Sequence, residues 1–304
     1  MKRLLVWLLA IVATLASLAV AILYLAPGRV VSTLQASAAR SAGLDSRTLD
    51  VDGDTLHYFI GGGGPPLVLL HGMGDTRHSF VAAAAELTDT HTVILPDMLG
   101  HGDNARHPDR EHSIAAQVAH VDTLLDALGH DRVVLGGNSM GGHTAAAFTL
   151  NHPERVERLI LVNAPGLPVE GHVVYAGFGG EIESREQYYA IMDRVVEERP
   201  ALPGPVVDHM IAQTNRDVAF LDAAARDMRE GELFDLSERL EEITVPTLIL
   251  WGREDVVVPF EVAQRYRDGI PGAQLVVLDG MGHSPQLEQP EAVGKAIADF
   301  LVRN

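Results

Sequence analysis

The sequence contains no cysteine among its 304 residues. This absence excludes disulfide bonds, zinc sites built on thiolates and a cysteine nucleophile, and it leaves the redox compartment open. Histidine is plentiful, with 14 residues, but these form no HExxH motif and no other dense group of metal ligands. We therefore expect neither a metal ion nor another cofactor.

Basic residues are scarce. Lys and Arg number 23 against 41 Asp and Glu, which gives a formal net charge of -18. A surface of that sign repels polyanions, so we expect no nucleic-acid partner. Apolar residues make up 47% of the chain, enough to fill the core of one large domain.

Long apolar runs are confined to the N-terminus. After Lys2 and Arg3, an uncharged run extends from Leu4 to Ala26. At about 1.5 Å per residue, a helix of that length crosses a bilayer core of roughly 30 Å. We predict that residues 1–26 form a single transmembrane anchor. The alternative is a cleaved signal peptide, because Ala19-Val20-Ala21 resembles a cleavage site.

The charges that flank this run indicate an orientation. Two basic residues precede it, whereas Arg29 is the one that follows closely. The positive-inside tendency then favours a C-terminal domain on the non-cytoplasmic side of the membrane.

Residues 27–45 are rich in small and polar side chains, and we interpret them as a linker, with an amphipathic juxtamembrane helix as the alternative. The main domain is predicted at 46–304. It opens with a hairpin, because Asp52-Gly53 lies between two strand-like segments and favours a tight turn.

Six short apolar runs then end in Gly, Asn or Asp and alternate with helix-like segments. One such segment has Ser113 as a candidate N-cap and Gly129 as its stop. The alternation predicts an α/β fold whose sheet is mainly parallel, has eight strands with the hairpin included, and carries helices on both faces. The active site of such a sheet belongs at the carboxyl ends of the strands.

The alternation stops at about residues 167–242, where helical periodicity replaces strands. We interpret this stretch as a helical cap inserted over the site; ordinary helices packed on the sheet are the alternative. The apolar residues expected over the site are Tyr175, Phe178, Tyr188, Met210 and Phe220.

The sequence Gly137-Asn138-Ser139-Met140-Gly141 fits G-x-S-x-G between a strand and a helix. A sharp strand-to-helix turn forces its central residue into strained dihedral angles and thrusts the side chain out of the sheet. Ser139 is therefore the candidate nucleophile, and it needs a neighbouring base.

His283 is the candidate base, because it lies in a glycine-containing loop after the last strand-like run. Asp255 follows the run before that and is the candidate partner that orients the imidazole, with Glu254 as its competitor. The backbone N–H groups of Met73 and Met140 are the candidate oxyanion donors. For His71 we expect a hydrogen bond that organises its loop rather than proton transfer.

The motifs HGMG, PDMLGHG, GGNSMGGH, WGREDVVVP and GMGHSPQLEQP, in this order, resemble those of the α/β-hydrolase superfamily and span nearly everything after residue 46. The resemblance implies an α/β-hydrolase fold with a Ser139, Asp255, His283 triad. A haloalkane dehalogenase is disfavoured, since it would need Asp in place of Ser139.

Within this superfamily the segment GGNSMGGHTAAAFTLNHPERVERLILVNAPG and the N-terminal apolar run are similar to the esterase and lipase branch that includes membrane-bound monoacylglycerol lipases. Met73 departs from the aromatic residue that is commoner in the oxyanion turn. The resemblance implies a serine carboxylic ester hydrolase acting on lipid-derived esters such as monoacylglycerols. C–C bond hydrolases of aromatic degradation and cofactor-free haloperoxidases carry similar triads, and a hydrolase-like binding protein without turnover is a further alternative.

Overall fold

The computed structural model describes residue 21, residues 23–51 and residues 53–302. Within these ranges no helix is both long and apolar enough to cross a membrane. The predicted anchor at residues 1–26 falls outside the described residues, apart from residue 21 and residues 23–26.

The described chain contains a single sheet of eight strands. These are β1 (Leu44–Val51), β2 (Asp54–Gly62), β3 (Pro66–Leu70), β4 (Thr92–Pro96), β5 (Val133–Asn138), β6 (Val156–Val162), β7 (Thr247–Gly252) and β8 (Gln274–Leu278). Their spatial order is β1-β2-β4-β3-β5-β6-β7-β8. The pairs β1–β2 and β2–β4 are antiparallel and all the others are parallel, so the predicted mainly parallel sheet is confirmed.

The described α-helices are α1 (Pro27–Ser41), α2 (Val81–Ala84), α3 (Ile114–Leu128), α4 (Met140–Asn151), α5 (Arg185–Val195), α6 (Gly204–Glu230), α7 (Phe260–Gly269), α8 (Pro285–Glu288) and α9 (Pro290–Leu301). Two 3₁₀ turns accompany them at Pro153–Arg155 and Ser237–Glu242.

The inner strands such as β3, β5 and β7 are buried on both faces, and their side chains alternate between the two faces of the sheet. In β3, Val68 and Leu70 join one apolar cluster with residues of α3, α4 and α7, whereas Leu67 and Leu69 join a second cluster with residues of α1, α2 and α9. Helices therefore cover both faces, as the continuous apolar strand sequences predict.

Helix α3 shows how local sequence sets these elements. Ser113 accepts a 3.3 Å hydrogen bond from Ala116 N at its start, and Gly129 ends it with a φ of 73°. Ile114, Val118 and Val121 are buried at helical spacing. Both predicted ends of this helix are confirmed.

Of the two interpretations of residues 27–45, the structure shows the helix, α1. Ala39 packs in the apolar cluster under the sheet, and at the other end Gly28 lies against the His209 ring on α6. Strand β1 begins at Leu44, two residues ahead of the predicted start of the domain. In the hairpin Val51 pairs with Asp54, and Gly53 has a φ of 88°.

Helices α5 and α6 lie between β6 and β7, within residues 167–242, which we call the cap segment. The cap segment has its own small core around Ile182, Tyr188 and Val207. Tyr188 donates a 3.3 Å hydrogen bond to Met210 Sδ there. Tyr188 and Met210, both predicted to lie over the site, pack against each other between the two cap helices.

Candidate active site

Ser139 occupies the turn between β5 and α4 with φ 52° and ψ -121°. This conformation is costly for a residue with a side chain and persists only where the surroundings enforce it. Its backbone N–H donates a 3.0 Å hydrogen bond to Val162 O on β6, which holds the turn against the sheet. Ser139 is thus presented, partly exposed, at the carboxyl end of a central strand.

Close packing explains why glycines flank Ser139. A Cβ on Gly137 would lie 2.5 Å from the carbonyl carbon of Gly141 and 2.6 Å from Leu70 O. A Cβ on Gly141 would lie 2.7 Å from His71 O, with Leu70 O closer still. Helix α4 can start this close to β3 only because both positions lack side chains.

The loop at residues 71–74, which we call the oxyanion loop, lies against Ser139. A Cβ on Gly72 would be 3.3 Å from Ser139 Cβ. Met73 follows Gly72 in this loop, and Met140 begins α4, where the N–H groups of the first turn have no acceptor within the helix. Met73 therefore directly follows the residue that lies against Ser139, and Met140 is the residue next to Ser139 in the chain.

His71 fixes the oxyanion loop. Its Nε2 accepts a 3.0 Å hydrogen bond from Met98 N, so its Nδ1 carries the proton and donates to Gly72 O at 2.8 Å. The predicted loop-organising hydrogen bond is confirmed. Both nitrogens of this buried ring are occupied by the backbone.

The structure brings Asp255 and His283 together. His283 Nδ1 donates a 2.8 Å hydrogen bond to Asp255 Oδ2, and the two residues are only 6% and 7% exposed. The other carboxylate oxygen accepts from Val257 N at 2.7 Å and Val258 N at 2.9 Å. Asp255 is held by its own turn and in turn fixes the imidazole tautomer that leaves Nε2 as the acceptor.

Glu254, the competitor for this role, has a different task. Its Oε2 accepts hydrogen bonds from Gly280 N at 2.9 Å and Met281 N at 3.0 Å. It therefore ties the turn after β7 to residues 279–284, which we call the histidine loop.

Asn163 is a site residue that sequence reasoning missed. It is fully buried directly after β6 and has a φ of 46°. Its Nδ2 donates a 2.6 Å hydrogen bond to Asp255 Oδ2, and its Oδ1 accepts a 3.2 Å hydrogen bond from Gly252 N. It supplies the Asp255 carboxylate with a second donor beside His283. The available signal was an Asn at a strand end, directly before Ala-Pro-Gly.

Two further contacts fix the histidine loop. Asn138, next to Ser139, donates from Nδ2 to His283 O at 2.9 Å. On the other side, Glu288 accepts from Gly282 N at 2.8 Å with one oxygen and from Glu197 N, in the cap segment, at 2.7 Å with the other. The candidate base is therefore linked directly to the turn of the nucleophile and to the cap segment.

Asp97 organises the loop after β4. It forms a buried ion pair with Arg77, accepts from Arg77 N at 2.7 Å, and accepts from Asp103 N at 2.9 Å. Burial beside this loop lowers the pKa of His101 to about 3. The hydrogen bonds of Asp97 therefore hold the loop in place.

His143, on α4, bonds to distant segments rather than locally. Its Nε2 donates to Leu233 O at 2.9 Å, so Nδ1 accepts from the Tyr175 hydroxyl at 2.9 Å. Burial lowers the pKa of His143 to about 4. A neutral imidazole thus links the nucleophile helix to the cap segment.

Known proteins share this sequence and architecture. Lipase 1 of Psychrobacter immobilis is 29% identical over 250 residues, which cover 78% of this chain and 77% of that protein. A 2-hydroxy-6-oxononadienedioate/2-hydroxy-6-oxononatrienedioate hydrolase of Cupriavidus pinatubonensis is 32% identical over 272 residues, covering 82% of this chain and 92% of that protein. The crystal structure of a membrane phospholipase A, described as a bacterial virulence factor, superposes with a TM-score of 0.84 at 28% identity and covers 99% of this chain and 98% of that one.

The sequence profile of the alpha/beta hydrolase family matches residues 67–296, which include the turn of Ser139 and both loops that carry Asp255 and His283. The sheet order and the helices on both faces agree with that fold. The chain belongs to the alpha/beta hydrolase family.

Proposed function

We propose that this protein is a serine hydrolase that cleaves carboxylic esters through an acyl-enzyme. Ser139 attacks the ester carbonyl, and His283 takes its proton and returns it to the leaving alcohol. Asp255 orients His283 and stabilises the imidazolium, while the N–H groups of Met73 and Met140 stabilise the oxyanion. The observation that carries the proposal is the 2.8 Å hydrogen bond from His283 to Asp255, in a loop that Asn138 ties to the nucleophile turn.

We further propose that the substrate is a lipid-derived ester, such as a monoacylglycerol, and that residues 1–26 anchor the enzyme in a membrane. The apolar run from Leu4 to Ala26, the lipase relatives and the membrane phospholipase A support this proposal. An anchored enzyme meets substrates that partition into bilayers at high local concentration.

A chain-length series tests the substrate class. We expect kcat/KM to rise from p-nitrophenyl acetate to the longer acyl esters and to be high for monoacylglycerols in detergent. Turnover of short, water-soluble esters far above that of long-chain monoacylglycerols would exclude the lipid preference.

The anchor has its own test. Full-length protein should stay in the membrane fraction after carbonate extraction and retain residues 1–21 by mass spectrometry. Loss of those residues would instead identify a signal peptide. A C-terminal alkaline phosphatase fusion should be active if the catalytic domain faces away from the cytoplasm.

C–C bond hydrolysis is the second candidate, because a relative named for such a substrate is 32% identical to this chain. A diacid or keto acid needs basic side chains for its carboxylates, but several cap arginines are already engaged. Arg185 pairs with Asp208 at 2.6 Å, and Arg229 donates to Tyr175 O. We therefore expect turnover of p-nitrophenyl esters to exceed that of a 2-hydroxy-6-oxo dienoic acid, and the reverse order would favour the C–C hydrolase.

A further inference from the structure

The cap segment places an aromatic ring directly over the oxyanion loop. A Cβ on Gly74 would lie 3.5 Å from Phe178 Cζ and 3.6 Å from Phe178 Cε2, with Leu221 Cδ1 at 4.0 Å. Gly74 is the residue after Met73, the proposed oxyanion donor. Phe178 and Leu221 therefore border the space next to the position that the ester carbonyl would take.

A carboxylate on α6 holds the backbone of Phe178. Asp222 Oδ1 accepts hydrogen bonds from Phe178 N at 2.6 Å and Gly179 N at 3.3 Å. Gly177 makes room for this oxygen, since a Cβ there would lie 2.5 Å from Asp222 Oδ1, and its φ is 76°. Hydrogen bonds to an ionised acceptor are stronger than those between neutral groups.

The segment is tied at a second point, three residues earlier. The Tyr175 hydroxyl bonds to His143 Nδ1 on the nucleophile helix, and Arg229 donates to Tyr175 O. Positive φ angles at Tyr175, Gly179 and Gly180, as well as Gly177, fold the chain back sharply. The ring of Phe178 is thus presented from a short segment with fixed ends rather than from a free loop.

We propose that Phe178 is a specificity-determining residue that restricts the acyl group next to the ester carbonyl, and that Asp222 is the positioning residue that keeps the ring there. The inference rests on the proposed ester hydrolysis and deepens it. In this proposal the oxyanion donors fix the carbonyl oxygen, the adjacent acyl carbon lies beneath the ring, and the leaving alcohol points away from it. A slim, unbranched acyl chain packs under an aromatic ring, whereas a methyl branch at that carbon overlaps with it.

Two pairs of esters test this inference. p-Nitrophenyl butanoate and p-nitrophenyl 2-methylbutanoate share a leaving group and differ by one branch on the acyl side. 1-Butyl and 2-butyl butanoate share the acyl group and differ by one branch on the alcohol side. The readout is the ratio of kcat/KM for the straight ester to that for the branched ester in each pair.

Phe178→Ala should lower the acyl-side ratio by about tenfold, the scale on which a pocket discriminates one carbon, and leave the alcohol-side ratio unchanged. Phe178→Leu should give a smaller decrease. Asp222→Ala should shift the ratio in the same direction, and Asp222→Asn, which keeps an acceptor oxygen, should restore it. The double variant Phe178→Ala/Asp222→Ala should have the same acyl-side ratio as Phe178→Ala alone, since Asp222 acts through the ring of Phe178.

Tyr189→Ala is the matched control, because Tyr189 is an aromatic residue of the cap segment that stacks with Arg199, 4.4 Å from its ring centre. It should leave both ratios unchanged. An acyl-side ratio that stays constant in Phe178→Ala, or a shift confined to the alcohol-side pair, would overturn the inference.

Labelling of Ser139 by a fluorophosphonate separates the two levels of proposal. Variants that label like wild type while the ratio stays constant contradict the role of Phe178 alone. A folded wild-type protein that is not labelled and hydrolyses none of the four esters contradicts the ester hydrolysis on which this role rests.

Discussion

Asp255 lies 2.8 Å from His283 Nδ1 and is fixed from its other side by the N–H groups of its own turn. In Asp255→Asn the side chain presents an amide or a weaker acceptor to the imidazole, which favours the wrong tautomer. We expect kcat for p-nitrophenyl esters to fall by about 10³ to 10⁴ while the fold persists.

The control for this substitution is Asp279→Asn, which changes an exposed carboxylate at the start of the histidine loop. It should retain activity within about threefold, as is usual for exposed ion pairs. An equal decrease of kcat in both variants would show that any change of charge around the histidine loop lowers activity. That result would contradict a specific role of Asp255.

Glu288 links the histidine loop to the cap segment through Gly282 N and Glu197 N. In Glu288→Gln one side-chain oxygen still accepts a hydrogen bond, but the amide NH₂ faces the second backbone N–H and cannot accept from it. The link between the histidine loop, which carries His283, and the cap segment therefore loses one of its two hydrogen bonds to this side chain. We expect kcat to fall by about tenfold, in line with the loss of a charge-assisted hydrogen bond, with KM nearly unchanged. Glu291→Gln, at an exposed position in the next helix, should have no such effect.

Ser139 has a backbone conformation that glycine adopts more readily than any residue with a side chain. Ser139→Gly should therefore unfold at a higher temperature than Ser139→Ala, by about 2 °C for roughly 1 kcal/mol of relieved strain. Ser37, which is exposed in α1, is the control position. There Ser37→Ala should unfold at a higher temperature than Ser37→Gly, because alanine has the higher helix propensity. The same order at both positions would argue against strain at Ser139.

His143 should make stability depend on pH. Burial lowers its pKa to about 4 from an ordinary 6.5, so the unfolded chain binds more protons between these values. The stabilisation from the neutral ring is complete above pH 6.5 and decreases as the pH falls toward 4.

Unfolding measured in urea from pH 7 to 4.5 tests this dependence. The fall in stability should be smaller in His143→Gln, which does not titrate. Tyr175→Phe removes the hydroxyl partner but keeps the titrating ring, so it should lower stability and retain the pH slope. Identical slopes in wild type and His143→Gln would contradict the assignment.

Local sequence rules account for much of the fold. The ends of α3 and the hairpin at Gly53 are set by side chains and turns within a few residues. The six apolar runs of the sequence correspond to strands β3 to β8. Ser139, Asp255 and His283 stand out for the same reason, since each follows a strand and parallel strands bring their ends together.

Contacts between distant segments were beyond the reach of such rules. Asn163, Glu288 and Asp222 form hydrogen bonds with groups that lie far away in the sequence, and no local pattern identifies those partners. Periodicity correctly indicated helices in the cap segment but not which neighbour each face meets. Tyr188 and Met210 pack within the cap segment, and Phe178 packs against the same cluster and also lies next to Gly74 of the oxyanion loop.

The central claim is that Ser139 is a nucleophile activated by His283. Labelling of purified full-length protein with a fluorophosphonate probe tests it most directly, with Ser139→Ala and His283→Ala in parallel. We expect rapid labelling of wild type, none in Ser139→Ala and a steep decrease in His283→Ala. A folded wild-type protein that does not label, or a Ser139→Ala variant that labels equally, would contradict the claim.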